Sequence, residues 1–208
     1  MNNCMAEVDV FIEIQRHTAI KYEWDKITNR MCVDRIMPYP FFYPCAYGFV
    51  PNTLSTDGDE IDVLLITTRE YPNNIIVRGV IVGGLDMEDE KGNDPKLFVV
   101  PIDEYRDLCA LSPTACIPNL LDPTLDNCFA HYRRMFEEIA WFFESYKKPN
   151  FASCSSGMKV GVVSDKWSRV LSFLTRDVAA NLCVNSVWAF NAANAANAIS
   201  ASHINADV

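Results

Sequence analysis

Hydrophobic and polar positions alternate from the start of the chain. Val8, Val10, Ile12 and Ile14 are aliphatic, while Asp9, Phe11 and Glu13 fall between them. That period predicts a strand with Glu13 turned away from the aliphatic face. The same period in Ala19 to Trp24 sets Lys21 and Glu23 on one face and Ile20, Tyr22 and Trp24 on the other. Cys32 to Met37 reads as a further short strand, ended by Pro38 and Pro40, which remove donors and fix φ. Phe41 to Asn52 is dense in aromatics and punctuated by proline, a pattern of core packed around an irregular loop with two tyrosine hydroxyls to satisfy.

Short apolar runs follow. Val63-Leu64-Leu65-Ile66 and Leu97-Phe98-Val99-Val100 have the length of buried strands, and Ile75 to Val82 is a β-rich segment that Gly83-Gly84 is expected to break. Between the glycines and Leu97 lies Leu85 to Lys96, acidic and centred on Lys-Gly-Asn-Asp turn chemistry. Pro101 to Pro123 reads as loop with one short helix. Phe129, Tyr132, Phe136, Ile139, Phe143 and Tyr146 then recur at helical spacing, with Asp126 as N-cap and Pro149 as stop. Met158 to Val163 reads as a last strand, and Ser164 as the cap of a helix carrying Trp167, Val170, Leu171, Leu174 and Val178.

This order of short strands first and long helices late predicts an α+β fold, an antiparallel barrel with helices packed outside. One domain over residues 1–178 is expected. Residues 179–208 hold no Lys, Arg or Glu and repeat Asn-Ala-Ala, which reads as a low-complexity, frayed or disordered tail. An amide in almost every turn argues against a membrane span there.

Composition narrows the function. The 208 residues carry 18 basic and 27 acidic side chains, a net charge of −9, with pI near 4.8, so a broad electrostatic hold on nucleic acid or anionic lipid is not expected. Eight cysteines form no Cys-x-x-Cys pair, and His17, His131 and His203 have no ligand spacing, which opposes a zinc site. With no signal peptide at the amino end, reduced thiols and a cytoplasmic location are expected.

The chemistry concentrates in Asp57-Gly58-Asp59-Glu60-Ile61-Asp62, butted against the run Val63 to Ile66. Taken alone it reads as an acidic turn sooner than as a site. Drawn toward the interior, its carboxylates would require a cation, and hard oxygen ligands suit Mg²⁺ or Mn²⁺. A second acidic loop, Asp89 to Asp94, also abuts a strand. Converging with Glu13, Lys21, Arg35, Lys96 and Lys147, these groups have the makings of a site for metal-bound phosphate.

Several stretches together resemble one family. They are Phe11 to Ile14, Ile20 to Glu23, Val33 to Arg35, Phe42 to Gly48, Asp57 to Leu64, Asp89 to Lys96 and Phe142 to Lys147. Their content and order are similar to the bacterial-type soluble inorganic pyrophosphatases of family I. The resemblance implies an OB-like closed five-stranded barrel and Mg²⁺-dependent hydrolysis of pyrophosphate to two orthophosphates. It implies Asp57, Asp62 and Asp94 as ligands of a tight metal, Asp89 and Glu13 as ligands of metals arriving with substrate, and Asp59 as general base toward the attacking water. Lys21, Arg35, Tyr47, Lys96, Tyr146 and Lys147 would bind phosphate oxygens, and Glu23 and Tyr43 would line the site. A homo-oligomer, hexameric as in bacterial members, is also implied. Ala46, Glu60 and Trp141 depart from the residues usual at those places, and Ser112 to Asp126 is longer than is common.

Two other classes remain open at this stage. An OB-type nucleic-acid module would need a basic groove with stacking aromatics, which a net charge of −9 opposes. An acidic metal-binding protein without catalysis is the other. The run from Asp57 fails as a calcium loop because Asp62 replaces the glycine and Thr68 the final glutamate.

Overall fold

A computed structural model describes residues 6–38, 40–111, 130–147 and 166–204. Nine strands and three helices occur among them: β1 (Glu7–Ile14), β2 (Ile20–Asp25), β3 (Arg30–Ile36), β4 (Ala46–Phe49), β5 (Asp62–Leu65), β6 (Ile75–Asp89), β7 (Gly92–Asn93), β8 (Lys96–Pro101), α1 (Ile102–Leu111), α2 (Ala130–Ser145), β9 (Ser168–Leu174) and α3 (Arg176–Ile204). Seven strands form a mixed sheet in the order β1-β4-β5-β8-β6-β7, with β9 on β6 and a further pairing of β1 with β6. β2 and β3 form a separate two-stranded ribbon.

The sheet is not wholly antiparallel as expected, because β5 and β8 run parallel, Asp62 opposite Lys96 and Leu65 opposite Val99. The intervening β6–β7 hairpin gives the chain the length to return in the same direction, which a parallel pair requires. Both strands are buried on both faces. Leu64, Ile66, Phe98 and Val100 belong to one apolar cluster, with α1 and α2. Val63, Leu65, Leu97 and Val99 belong to another, with Ala179 and Cys183 of α3. Two-sided burial explains why these segments read as unbroken apolar runs.

Four expectations change. The stretch Phe41 to Asn52 contains a strand, β4, joined to β1 and β5. Gly83-Gly84 does not break β6. The strand continues through a register shift between Ile81 and Gly83, and a Cβ on Gly84 would lie 2.7 Å from the Lys96 carbonyl oxygen, so the glycine serves close strand approach. Trp167 to Leu174 is not helical: β9 extends the sheet from β6, with Leu85 opposite Phe173. The uncharged stretch beyond Asp177, expected as a low-complexity, frayed or disordered tail, is helical as far as Ile204, the end of α3. Ala179, Cys183 and Ser186 are its buried side. The proposed N-cap Asp126, the stop at Pro149, the strand Met158 to Val163 and the cap Ser164 lie outside the described residues.

α2 buries Tyr132, Met135, Phe136, Ile139, Phe142 and Phe143, a stripe at spacings of three and four. β9 fixes its carboxyl end, since the Ser168 hydroxyl donates to the Phe143 carbonyl (2.6 Å) and the Val170 N–H to Glu144 (2.7 Å). The chain leaves α2 at Tyr146 and Lys147 with its direction set.

Candidate active site

The strand ends bring the charged residues together. A cleft of about 340 Å³ is lined by Glu13 from β1, Tyr47 from β4, Asp62 at the start of β5, Asp89 at the end of β6 and Lys96 at the start of β8. Asp57 and Asp59 come from the loop before β5 and Asp94 from the loop before β8. Lys21, Glu23 and Arg35 come from the ribbon, and Tyr146 and Lys147 from the end of α2. Gly58, at φ +92°, lets the loop turn, the Ser55 N–H donates to the Asp59 carbonyl (2.7 Å), and the Asp59 N–H donates to Asp57 Oδ1 (3.2 Å). The acidic run is thus a turn and part of the cleft at once.

Lysines sit among the carboxylates. Lys96, 2% exposed, donates to Asp62 (2.6 Å) and Asp94 (2.9 Å), and its ammonium lies 5.6 Å from the Tyr47 ring centre. Burial alone would lower its pKa, but the two aspartates hold it above the ordinary lysine value. Lys147 bridges Asp89 (2.6 Å) and Glu90 (3.2 Å), both from the β6–β7 turn. Asp89, against the desolvation that would raise it, is held below the usual carboxylate range by Lys147 and the Lys91 N–H. Lys21 pairs with Glu23 and lies 3.2 Å from Asp34, which is itself 3.5 Å from Arg35.

Two carboxylates are under-compensated. Desolvation raises Glu13 from 4.5 to about 7, although the Trp24 N–H donates to it at 2.8 Å and lowers it in part. Desolvation also raises Asp94, with Lys96 opposing. Tyr47 and Tyr146 are likewise pushed up by burial, so both phenols stay protonated as donors.

Comparison with known proteins decides the family. A model of the inorganic pyrophosphatases matches residues 10–169. The chain belongs to the inorganic pyrophosphatase family. It is 33% identical over 189 residues to the inorganic pyrophosphatase of Helicobacter pylori, covering 87% of this chain and 90% of that relative. It is 40% identical over 146 residues to that of Pseudomonas aeruginosa, covering 67% and 74%. A solved structure of the Helicobacter pylori inorganic pyrophosphatase superposes with a TM-score of 0.69 at 32% identity, over 89% of this chain and 94% of that one.

In this pyrophosphatase-family cleft one expected residue is displaced. Tyr43 does not reach the lining. It is 2% exposed and stands behind the site, its ring 5.9 Å from Tyr47 and 5.0 Å from Phe142. Several lining residues were missed from the sequence, notably Lys26, Asp34, Glu60, Glu90 and Lys166. Asp34, Glu60 and Glu90 each adjoin an expected residue, Lys26 and Lys166 do not, and spacing alone does not tell a lining charge from a solvated one.

Divalent cations fit the donor set. Ten carboxylates and seven basic side chains line the cleft, so it stays negative even with its lysines charged. Among the described residues no three acidic, His or Cys side chains converge closely enough to hold an ion alone. Lys96 stands between two of the carboxylates, Asp62 and Asp94, in this arrangement. No helix among the described residues is long and apolar enough to cross a membrane.

Proposed function

We propose that this protein hydrolyses inorganic pyrophosphate to two orthophosphates with the help of divalent cations, Mg²⁺ by preference. The observation that carries the reading is the interleaving of buried carboxylates with Lys96, Lys147, Lys21 and Arg35 around one cleft in a chain of this family. A tetra-anionic substrate needs cations on every side, while a cation site of aspartates alone would need none of these lysines.

Asp57, Asp62 and Asp94 would hold the tight ion, and Asp89 and Glu13 those arriving with the substrate. When bound, such ions neutralise phosphate charge and lower the pKa of water from about 15.7 toward about 7. The chain's own groups do the rest. Lys21 and Arg35 from the ribbon, Lys96 from the floor and Tyr146 with Lys147 from the α2 end orient the two phosphates, and Tyr47 donates from below. Asp59, whose side chain is 65% exposed at the cleft mouth, accepts the proton of the attacking water. The leaving phosphate departs as its charge is held by the surrounding cationic side chains. Placing both phosphates in this way converts a slow bimolecular attack into a positioned one.

The same reading takes the pairings β1-β4-β5-β8-β6-β1 as a closed OB-like barrel around the second apolar cluster, and the protein as a cytoplasmic homo-oligomer. Phosphate release from pyrophosphate, set beside release from a phosphomonoester under the same Mg²⁺, tests the substrate. Comparable rates on both would overturn the pyrophosphate assignment.

A further inference from the structure

The β2–β3 ribbon stands apart from the main sheet and carries Lys21 and Arg35. Its attachment is narrow. Near the tip it is tied to β1 through Trp24, whose N–H donates to Glu13 (2.8 Å) and whose ring packs edge-on against Phe11, with ring centres 5.3 Å apart. Most of β3 is exposed.

The tip is a built turn. Asp25 Oδ1 accepts from the N–H groups of Ile27 (2.8 Å) and Thr28 (3.1 Å), and Asn29 takes φ +52° before the chain enters β3. This geometry leaves Ile27 93% exposed and aims Lys26 across the cleft mouth. Its ammonium lies 2.7 Å from Glu60 and 3.4 Å from Asp59, the two residues in the middle of the acidic run. Glu60 is the more buried partner, 20% exposed against 54% for Lys26. The nearer contact is therefore with the residue that has no part in the proposed chemistry, and Asp59 is only loosely held.

We propose that the Lys26–Glu60 pair is a clasp that holds the ribbon tip to the acidic loop and thereby positions Lys21 and Arg35 over the phosphate side of the cleft. The pair acts on substrate only through those two residues. Glu60 takes the nearer contact with Lys26 and leaves Asp59 the longer one. The positioning half of the proposal rests on the pyrophosphate reading; the clasp itself does not.

Amide hydrogen exchange over residues 20–36 of the full chain, without metal or substrate, tests the clasp directly. In Lys26→Gln and Glu60→Gln exchange should quicken about threefold, the size a half-exposed ion pair sustains. The exchanged pair Lys26→Glu with Glu60→Lys should recover most of that loss. Unchanged exchange in both single variants overturns the clasp whatever the enzyme activity. The positioning role predicts that KM for Mg²⁺-pyrophosphate rises about threefold in each single variant, more than kcat changes, and falls back in the exchanged pair. Faster ribbon exchange with an unmoved KM overturns positioning and leaves the clasp standing. A wild-type chain inactive on pyrophosphate counts against the functional reading and the positioning role, while the exchange result still decides the clasp.

Discussion

Lys96 and Asp62 stand opposite each other in the parallel β5–β8 pairing, with the ammonium 2.6 Å from Asp62 Oδ2. The register of two strands 34 residues apart in sequence thus sets the central ion pair of the cleft. Because Lys96 also reaches Asp94, its loss strands two carboxylates in a poorly hydrated place. Lys96→Met should cost about 3–5 kcal/mol of stability in chelator, as expected when one member of a buried pair is removed. Added Mg²⁺ should return part of it by replacing the missing charge. Urea unfolding with and without the ion measures both, and a loss below about 1 kcal/mol would contradict the assignment.

Glu13 gives a pH dependence. Its pKa lies at about 7 in the folded chain against 4.5 ordinarily, desolvation being the main cause. Between those values the folded state keeps a proton that the unfolded chain has released. Metal-free stability therefore falls as pH rises through that window, by about 3 kcal/mol. Glu13→Gln should flatten the profile and be the more stable protein at about pH 8. Identical slopes for the two proteins between about pH 5 and pH 8 would remove Glu13 as the cause.

Asp59→Asn should lower turnover by about 10²- to 10⁴-fold, the range of a positioned general base. Its side chain is mostly exposed, so the unfolding midpoint should stay in place. Near-normal turnover in the folded variant would take Asp59 out of that role.

Gly48 tests the packing beneath the cleft. A Cβ there would lie 1.8 Å from the Phe11 carbonyl oxygen, a backbone atom that cannot rotate away. Gly48→Ala should cost about 3 kcal/mol, a fall of roughly 6 to 12 °C in thermal midpoint. An unmoved midpoint would mean β1 and β4 are not so closely paired.

Where burial is one-sided or complete, the sequence made the strands legible. β1 alternates, and β5 and β8 are apolar beyond Asp62 and Lys96 because both faces are covered there. β4 was hidden because Pro44 and Pro51 flank it and its core-facing residues are as small as Ala46 and Gly48. β9 was taken for helix because Trp167, Val170, Leu171 and Leu174 fall at helical spacing, while its strand character comes from pairing with β6, some 85 residues earlier in the chain. α3 lacked an amphipathic signal, yet alanine is the strongest helix former and asparagine amides on an exposed face lose no hydrogen bonds. The site was more legible than the fold, since its acidic and basic residues lie in short runs at strand ends. Tyr43 was the exception. Tyr43 and Tyr47 look alike in sequence, and only the packing of the folded chain separates the one that lines the cleft from the one set against Phe142.

The central claim is metal-dependent hydrolysis at this cleft, and the direct measurement is orthophosphate released from pyrophosphate by the purified full chain. With Mg²⁺ present, release should be rapid and give two phosphates per pyrophosphate consumed. Chelator should abolish it, and readdition of Mg²⁺ should restore it. A folded, Mg²⁺-loaded protein that releases no phosphate, or one whose release is indifferent to chelator, would contradict the account.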